Sequence, residues 1–340
     1  MAEIAPPPAA GPGAPSPERS TAAQVAAASG AASAAPRGAL SRAWDSDFLW
    51  SFRRSPVAIV SALVAVTLIL AAVLAPAIAP QNPFDPSQLD LSDGFSKPMQ
   101  PNEITGRTFV LGTDPQGRDM LSAILYGSRV SLLVGFASVV FSMLVGITLG
   151  LMAGYLGGRL EALIMRVADI QLSFPAILVA LLVFGVARGV IPPASQEEAT
   201  LAVLVVAIGL SNWAQYARTV RATTLVEKGK VYVDAARLIG LKPFVIMLKH
   251  VLPNVTGPIL VIATINLALA IIEEATLSFL GVGMPPTQPS LGTLIRIGQQ
   301  FLFSGEWWIL FTPALALVLL ALSINLLGDW LRDVLNPRLR

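Results

Sequence analysis

The chain has 340 residues, 54% hydrophobic and 13% charged, with a net charge of +2 and a mean hydropathy of +0.68. Soluble domains carry about 25% charged residues, so this composition argues for a polytopic membrane protein, and the near-neutral charge points away from a nucleic-acid binder. There is no cysteine and a single histidine, which removes disulfide scaffolds, thiolate metal sites and chemistry that needs paired histidines.

The first 40 residues hold 15 Ala and 7 Pro but only three of Leu, Ile and Val. Such a stretch buries too little apolar surface to offset the entropy of ordering, so residues 1–44 read as a disordered tail. The tail lacks a basic start followed by an apolar run, so it does not read as a signal peptide. Asp45–Arg54, with Phe48, Leu49, Trp50 and Phe52 beside Arg53 and Arg54, predicts a short interfacial helix. Charge-free stretches then predict six membrane-spanning helices, each near the 20 apolar residues a crossing needs. They are Val57–Ala79, Val130–Tyr155, Leu172–Val190, Leu201–Tyr216, Val255–Leu280 and Trp307–Leu327. Trp50, Trp213, Trp307, Trp308 and Trp330 fall near predicted span ends, where an amphipathic ring is favoured.

With the amino terminus inside, the cytoplasmic side carries 17 Lys plus Arg and the outer side 6. The positive-inside rule therefore places both termini in the cytoplasm. The long cytoplasmic loop is then Ala217–Asn254, which holds seven Lys or Arg and the only histidine. Within it Asp234-Ala235-Ala236-Arg237-Leu238-Ile239-Gly240 is followed, nine residues later, by His250-Val251-Leu252-Pro253-Asn254. This predicts a short helix over Val231–Ile239 closed by Gly240 in the left-handed conformation, then a second helix that starts near Pro243 and ends at Pro253. Ala235 and Ala236 place two small side chains together for close approach by another surface, with Arg237, Lys242 and Lys249 around them.

The spacing of this loop resembles the motif of inner-membrane permease subunits of bacterial ABC importers: Glu-Ala-Ala, three residues, Gly, nine residues, then one position before x-Leu-Pro. Asp234 stands where the family has Glu, and His250 precedes Val251-Leu252-Pro253. Further stretches are similar to the C-type permeases of dipeptide, oligopeptide and nickel importers. These are Leu111 to Asp119, Tyr126 to Leu132, Ala153-Gly154-Tyr155, Glu274 to Gly281, and Asn325 to Asp329 with Leu331-Arg332-Asp333. An acidic Glu273 beside the expected Glu274 is a second departure. The resemblance covers the chain from about Trp44 to Arg340 and implies an all-α, six-helix type I importer permease in the bacterial inner membrane. It divides the chain into an interfacial helix, first span and extracytoplasmic segment (45–127), a permease core (128–329) and a cytoplasmic C-terminal tail (330–340).

The resemblance also implies that the loop 217–254 is a coupling segment seated on an ATPase, with Asp234, Ala235, Ala236, Arg237, Gly240, His250, Leu252 and Pro253 as its site residues. The implied partners are a second, B-type permease, two ABC ATPase subunits and an extracytoplasmic binding protein. ATP and Mg would sit on the ATPases and no cofactor on this chain. Di- and oligopeptides are the implied cargo, with nickel complexes or glutathione as alternatives. No phosphate-binding loop is present, since Lys228-Gly229-Lys230 lacks its other parts.

Other residues carry weaker signals. His250, alone, reads as a hydrogen-bonding loop position rather than a base or metal ligand. Gly112–Asp119 reads as an extracytoplasmic corner in which Asp119 caps the next helix, or as a contact for the partner permease or binding protein. Gly146, Gly150 and Gly154 recur every four residues and share one helix face, for close packing or for a moving gate. Glu273 and Glu274 lie in a long apolar run, so at least one must face protein, water or the outer interface, in a structural or gate-adjacent role. An intramembrane enzyme would need a Ser–His pair or clustered acidic ligands, and a stand-alone secondary transporter an internal repeat with broken spans. Neither pattern stands out.

Overall fold

The computed structural model describes residues 47–335, so the expected tail 1–44 and the last five residues lie outside the described residues. The chain divides into two units, one ending at Arg54 and one starting at Ser55. In the first, the expected interfacial helix is present as α1 (Asp47–Arg54).

The second unit opens with α2 (Pro56–Val73), whose first turn is capped by Ser55 Oγ accepting the Ala58 N–H at 3.2 Å. The first span does not run on to Ala79 as one helix. Pro76 has no N–H to give to Ala72, so the chain turns at Leu74 and restarts as α3 (Ala75–Ile78). The segment that follows, expected outside the cytoplasm, has short 3-10 turns and two isolated β-bridges, Pro101 with Thr108 and Thr113 with Asp119, and is tied by polar bonds. Buried Asp93 takes the Arg107 guanidinium at 3.0 Å and the Thr105 hydroxyl, and Arg118 pairs with Asp114 at 2.6 Å with both side chains buried. Asp119 caps α4 (Met120–Leu156), accepting the Ser122 N–H at 2.8 Å, as its position before the helix suggested. Its 37 residues span about 55 Å, more than the hydrocarbon core needs.

The third predicted span, Leu172–Val190, starts late, as a continuous helix only from Ala176. α5 (Gly158–Leu172) ends where that span was expected to begin, and α6 (Ala176–Val190) leaves it at 101°. Pro175 is the cause: it disfavours helical backbone at Phe174 and offers no N–H to continue the ladder. Among the described residues five helices are long and apolar enough to cross a membrane, and the bent α5–α6 pair makes up to six.

α7 (Gln196–Lys228) is twice as long as the predicted fourth span and takes in the first twelve residues assigned to the cytoplasmic loop. Nothing between Ala217 and Lys228 breaks a helix, and Ala217, Val220 and Thr224 are buried along it. α8 (Val231–Leu238) follows, then α9 (Pro243–Ile246), a π-turn over Met247–Val251 and α10 (Leu252–Phe279). Pro253 therefore does not end a helix. The π-turn, in which Leu252 N–H reaches back to Met247 O, lets the ladder pass the proline, and the helical run continues from Pro243 to Phe279. α11 (Leu291–Gln299) and α12 (Trp308–Leu335) complete the unit, α12 running into the expected C-terminal tail.

α4 and α7 form the central pair, α10 packs on both, α11 and α12 flank α4 and α10, and α2 packs on α4 and α12. Two tryptophans expected at the membrane surface are instead buried. Trp213 donates to Gln171 Oε1 at 2.6 Å, and Trp308 donates to the Thr113 carbonyl at 3.1 Å, because each indole lies against a neighbouring element that supplies an acceptor.

Candidate functional site

The segment after α7 is held to the rest of the protein at three points. Lys228 Nζ donates to the Tyr155 carbonyl at 2.5 Å, at the end of α4. Glu227, in the last turn of α7, accepts from Lys230 Nζ and from Tyr232 Oη, each at 2.6 Å. Asn254 Nδ2, at the start of α10, donates to the His250 carbonyl at 2.7 Å and to Tyr232 Oη at 3.3 Å. Burial, with the Glu227 carboxylate beside it, pushes the Tyr232 hydroxyl up to about 12. Beneath these bonds lies an apolar cluster in which Val233 and Ala236 of α8 meet Tyr216 and Val220 of α7, Leu151 and Tyr155 of α4, and Val255 and Ile259 of α10. α8 is thus packed against α4, α7 and α10 together.

Gly240 closes α8 as the sequence suggests, with φ of +79°. Its N–H donates to Arg237 O at 3.0 Å and the Leu241 N–H to Ala236 O at 3.1 Å, the paired bonds of a Schellman motif. A side chain at Gly240 would meet nothing within 4 Å, so glycine is required here by backbone conformation and not by space.

Ala235 and Ala236 do not form a joint small patch. Ala236 is buried in the cluster, whereas Ala235 is exposed with Asp234. The outward face of the segment carries large apolar side chains beside the exposed Asp234 and Arg237: Val231 is 84% exposed, Leu238 88% and Ile239 75%, with Phe244 nearby in sequence at 64%. Asp234 pairs with Arg237 at 3.1 Å, and the Arg237 guanidinium lies 5.5 Å from the centre of the Tyr155 ring. Lys242, Lys249 and Pro253 are exposed, while Leu252 and His250 are partly buried. The His250 Nδ1 atom is buried without a hydrogen-bond partner. Among the described residues no group of three His, Cys, Asp or Glu could hold a metal.

The three glycines of α4 all face α7. A methyl group built on Gly146 would fall 2.4 Å from Tyr216 Cβ, one on Gly150 2.6 Å from the Ala217 carbonyl oxygen, and one on Gly154 2.7 Å from Thr224 Cβ. The two helices run parallel, since successive glycines meet successive turns of α7, and their backbones approach closely. Glu274 is fully buried in α10. Its carboxylate accepts Ser131 Oγ of α4 and Ser278 Oγ, each at 2.7 Å, and the same two hydroxyls take the Leu291 and Met284 N–H groups. Glu274 thus ties α4 to α10 and to the turn before α11.

Glu227, Tyr232 and Asn254 were not legible as a set. Five and twenty-two residues separate Tyr232 from the others, and no motif spacing marks them.

The N-terminal TM domain of oligopeptide transport permease C matches residues 43–98. The di/tripeptide transport system permease protein DppC of Pseudomonas aeruginosa (strain UCBPP-PA14) is 37% identical over 86% of this chain and 92% of its own length. The dipeptide transport system permease protein DppC of Haemophilus influenzae is 36% identical over 86% and 95%. The glutathione transport system permease protein GsiD of Pectobacterium atrosepticum is 35% identical over 86% and 91%. A chain of the MetNI methionine ABC transporter in an inward-facing conformation aligns with 63% of this chain and 97% of its own, at 23% identity and a TM-score of 0.49. Residues 146–340, more than half the chain and including the whole segment just described, match the binding-protein-dependent transport system inner membrane component family. The chain belongs to that family, as a multi-pass inner-membrane permease subunit of an ABC importer.

Proposed function

We propose that this permease carries di- and oligopeptides, forming the translocation pathway with a second, B-type permease. Two ABC ATPase subunits bind ATP and Mg on the cytoplasmic side, and an extracytoplasmic binding protein delivers the cargo. Both termini lie in the cytoplasm, and the chain itself catalyses no reaction and binds no cofactor. The names of the di/tripeptide and dipeptide relatives support the cargo class.

The coupling role rests on the exposed apolar face of α8. Val231, Leu238 and Ile239 face away from the bundle on a cytoplasmic segment whose other face is locked to α4, α7 and α10. An apolar patch in water is a docking surface, and a docked partner that shifts α8 shifts the helices of the pathway with it. Gly240 and Pro253 set the path of the segment, and Gly146, Gly150 and Gly154 keep α4 and α7 moving as one body. The 35% identity to a glutathione permease supports a second cargo reading. Uptake of a panel of dipeptides, tripeptides and glutathione by the assembled transporter in proteoliposomes separates the two. Import of alanyl-alanine in preference to glutathione upholds the peptide reading, and import of glutathione alone overturns it.

A further inference from the structure

Glu273 and Glu274 are consecutive in α10 but differ in surroundings. Glu274 is enclosed by hydroxyl donors. Glu273, about 100° round the helix, is partly exposed and touches α7 instead: its Oε2 accepts Asn212 Nδ2 at 2.8 Å. Among the described residues no protein donor reaches its Oε1 and no Lys or Arg pairs with it.

Neighbouring contacts set this carboxylate level with the charge-free stretch of α4. Ile271 packs on Gly135 of α4, and Ser142 of α4 donates to the Gly209 carbonyl of α7, one turn from Asn212. Gly135 and Ser142 both lie in the charge-free stretch 130–158. Leu269, Ile272 and Leu280 are exposed on the same side of α10. Hydrocarbon accepts those side chains but not a partly exposed carboxylate, so this edge of α10 faces a water-filled passage or another protein.

The seam beside it stays polar further in. Asn266, two turns before Glu273 on the same face of α10, and Tyr216, one turn after Asn212 on α7, are both buried. The Asn266 and Tyr216 side chains lie against one another, and neither the Asn266 Nδ2 nor the Tyr216 Oη atom has any other hydrogen-bond partner. Asn212 also donates to the Ile208 carbonyl at 3.1 Å, which fixes its amide and holds the Glu273 carboxylate from the α7 side.

We propose that Glu273, positioned by Asn212, receives a cationic group of the cargo during passage: the α-ammonium of a peptide, or a lysyl or arginyl side chain. The proposal rests on the peptide reading above. It supplies the missing counter-charge of a carboxylate that lipid would not tolerate.

The test is uptake of alanyl-alanine by the complete transporter, with binding protein, in proteoliposomes, for the native chain and for Glu273→Gln and Glu273→Asp. Glutamine keeps the volume and the acceptor for Asn212 and removes only the charge. Losing one partner of a desolvated charge pair predicts a fall in uptake of about tenfold or more for Glu273→Gln, while Glu273→Asp retains about half and both variants still co-purify with the second permease and the ATPases. Native uptake matched by Glu273→Gln overturns the proposal and leaves the peptide reading standing. A Glu273→Gln chain that no longer holds the second permease also overturns it, making the carboxylate a subunit contact. A native transporter that imports no alanyl-alanine overturns the peptide reading, and the proposal with it.

Discussion

The α4–α7 seam and the α8 segment solve opposite problems with the same helices. Along the seam, Gly146, Gly150 and Gly154 let two backbones meet, and every surface is covered from within the chain. At α8 the inner face is just as closed, with Val233 fully buried and Ala236 at 4% exposure, but Val231, Leu238 and Ile239 project outward. The seam is complete in the single chain; α8 leaves its outer face uncovered. Substitutions in the first should cost stability, and substitutions on the outer face of the second should cost coupling while leaving stability alone.

The largest effect is expected at the seam. Gly150→Leu drives a side chain into the Ala217 carbonyl and Val220, and overpacking of this kind costs on the order of 3 kcal/mol or more, read as loss of folded protein in detergent. Glu274→Ala comes next. It leaves the Ser131 and Ser278 hydroxyls without their acceptor, at about 1–3 kcal/mol for each donor left unpaired, read as a lower unfolding temperature.

Gly240→Val is smaller still, about 1–2 kcal/mol from placing a β-branched residue in left-handed backbone, yet it tilts α8 and should reduce uptake more than it reduces stability. Smallest in stability is Leu238→Asp, within about 0.5 kcal/mol because the side chain touches little. The polar clamp adds a pH prediction. Tyr232 has its hydroxyl raised from 10.0 to about 12, so its bond to Glu227 is fully present below pH 10 and lost only as pH climbs towards 12. Coupling efficiency should show no inflection near pH 10, where an unperturbed tyrosine would titrate.

Most of the helical plan was legible because charges mark where spans stop, and Gly240 announced the end of α8 through its conformational freedom. The failures share a cause. Leu172–Val190 reads as one apolar run because hydropathy does not register the break that Pro175 imposes at Phe174. Ala217–Lys228 reads as loop because it is charged, although Ala217, Val220 and Thr224 have the helical period that packs them against the glycines of α4. Pro253 reads as a stop because a π-turn that absorbs a proline has no residue signature. At the site, the motif located the segment but not its polarity. Which of Ala235 and Ala236 faces inward depends on where α4 and α10 approach, and those contacts are distant in sequence.

The central claim is that the outer face of α8 receives the ATPase subunits and passes their motion to the pathway. Peptide uptake and ATPase co-purification, measured together on the assembled transporter carrying Leu238→Asp with Ile239→Asp, test it most directly. The expected result is a permease pair of unchanged unfolding temperature that no longer retains the ATPases and no longer imports peptide. Normal retention and normal uptake in that variant would contradict it.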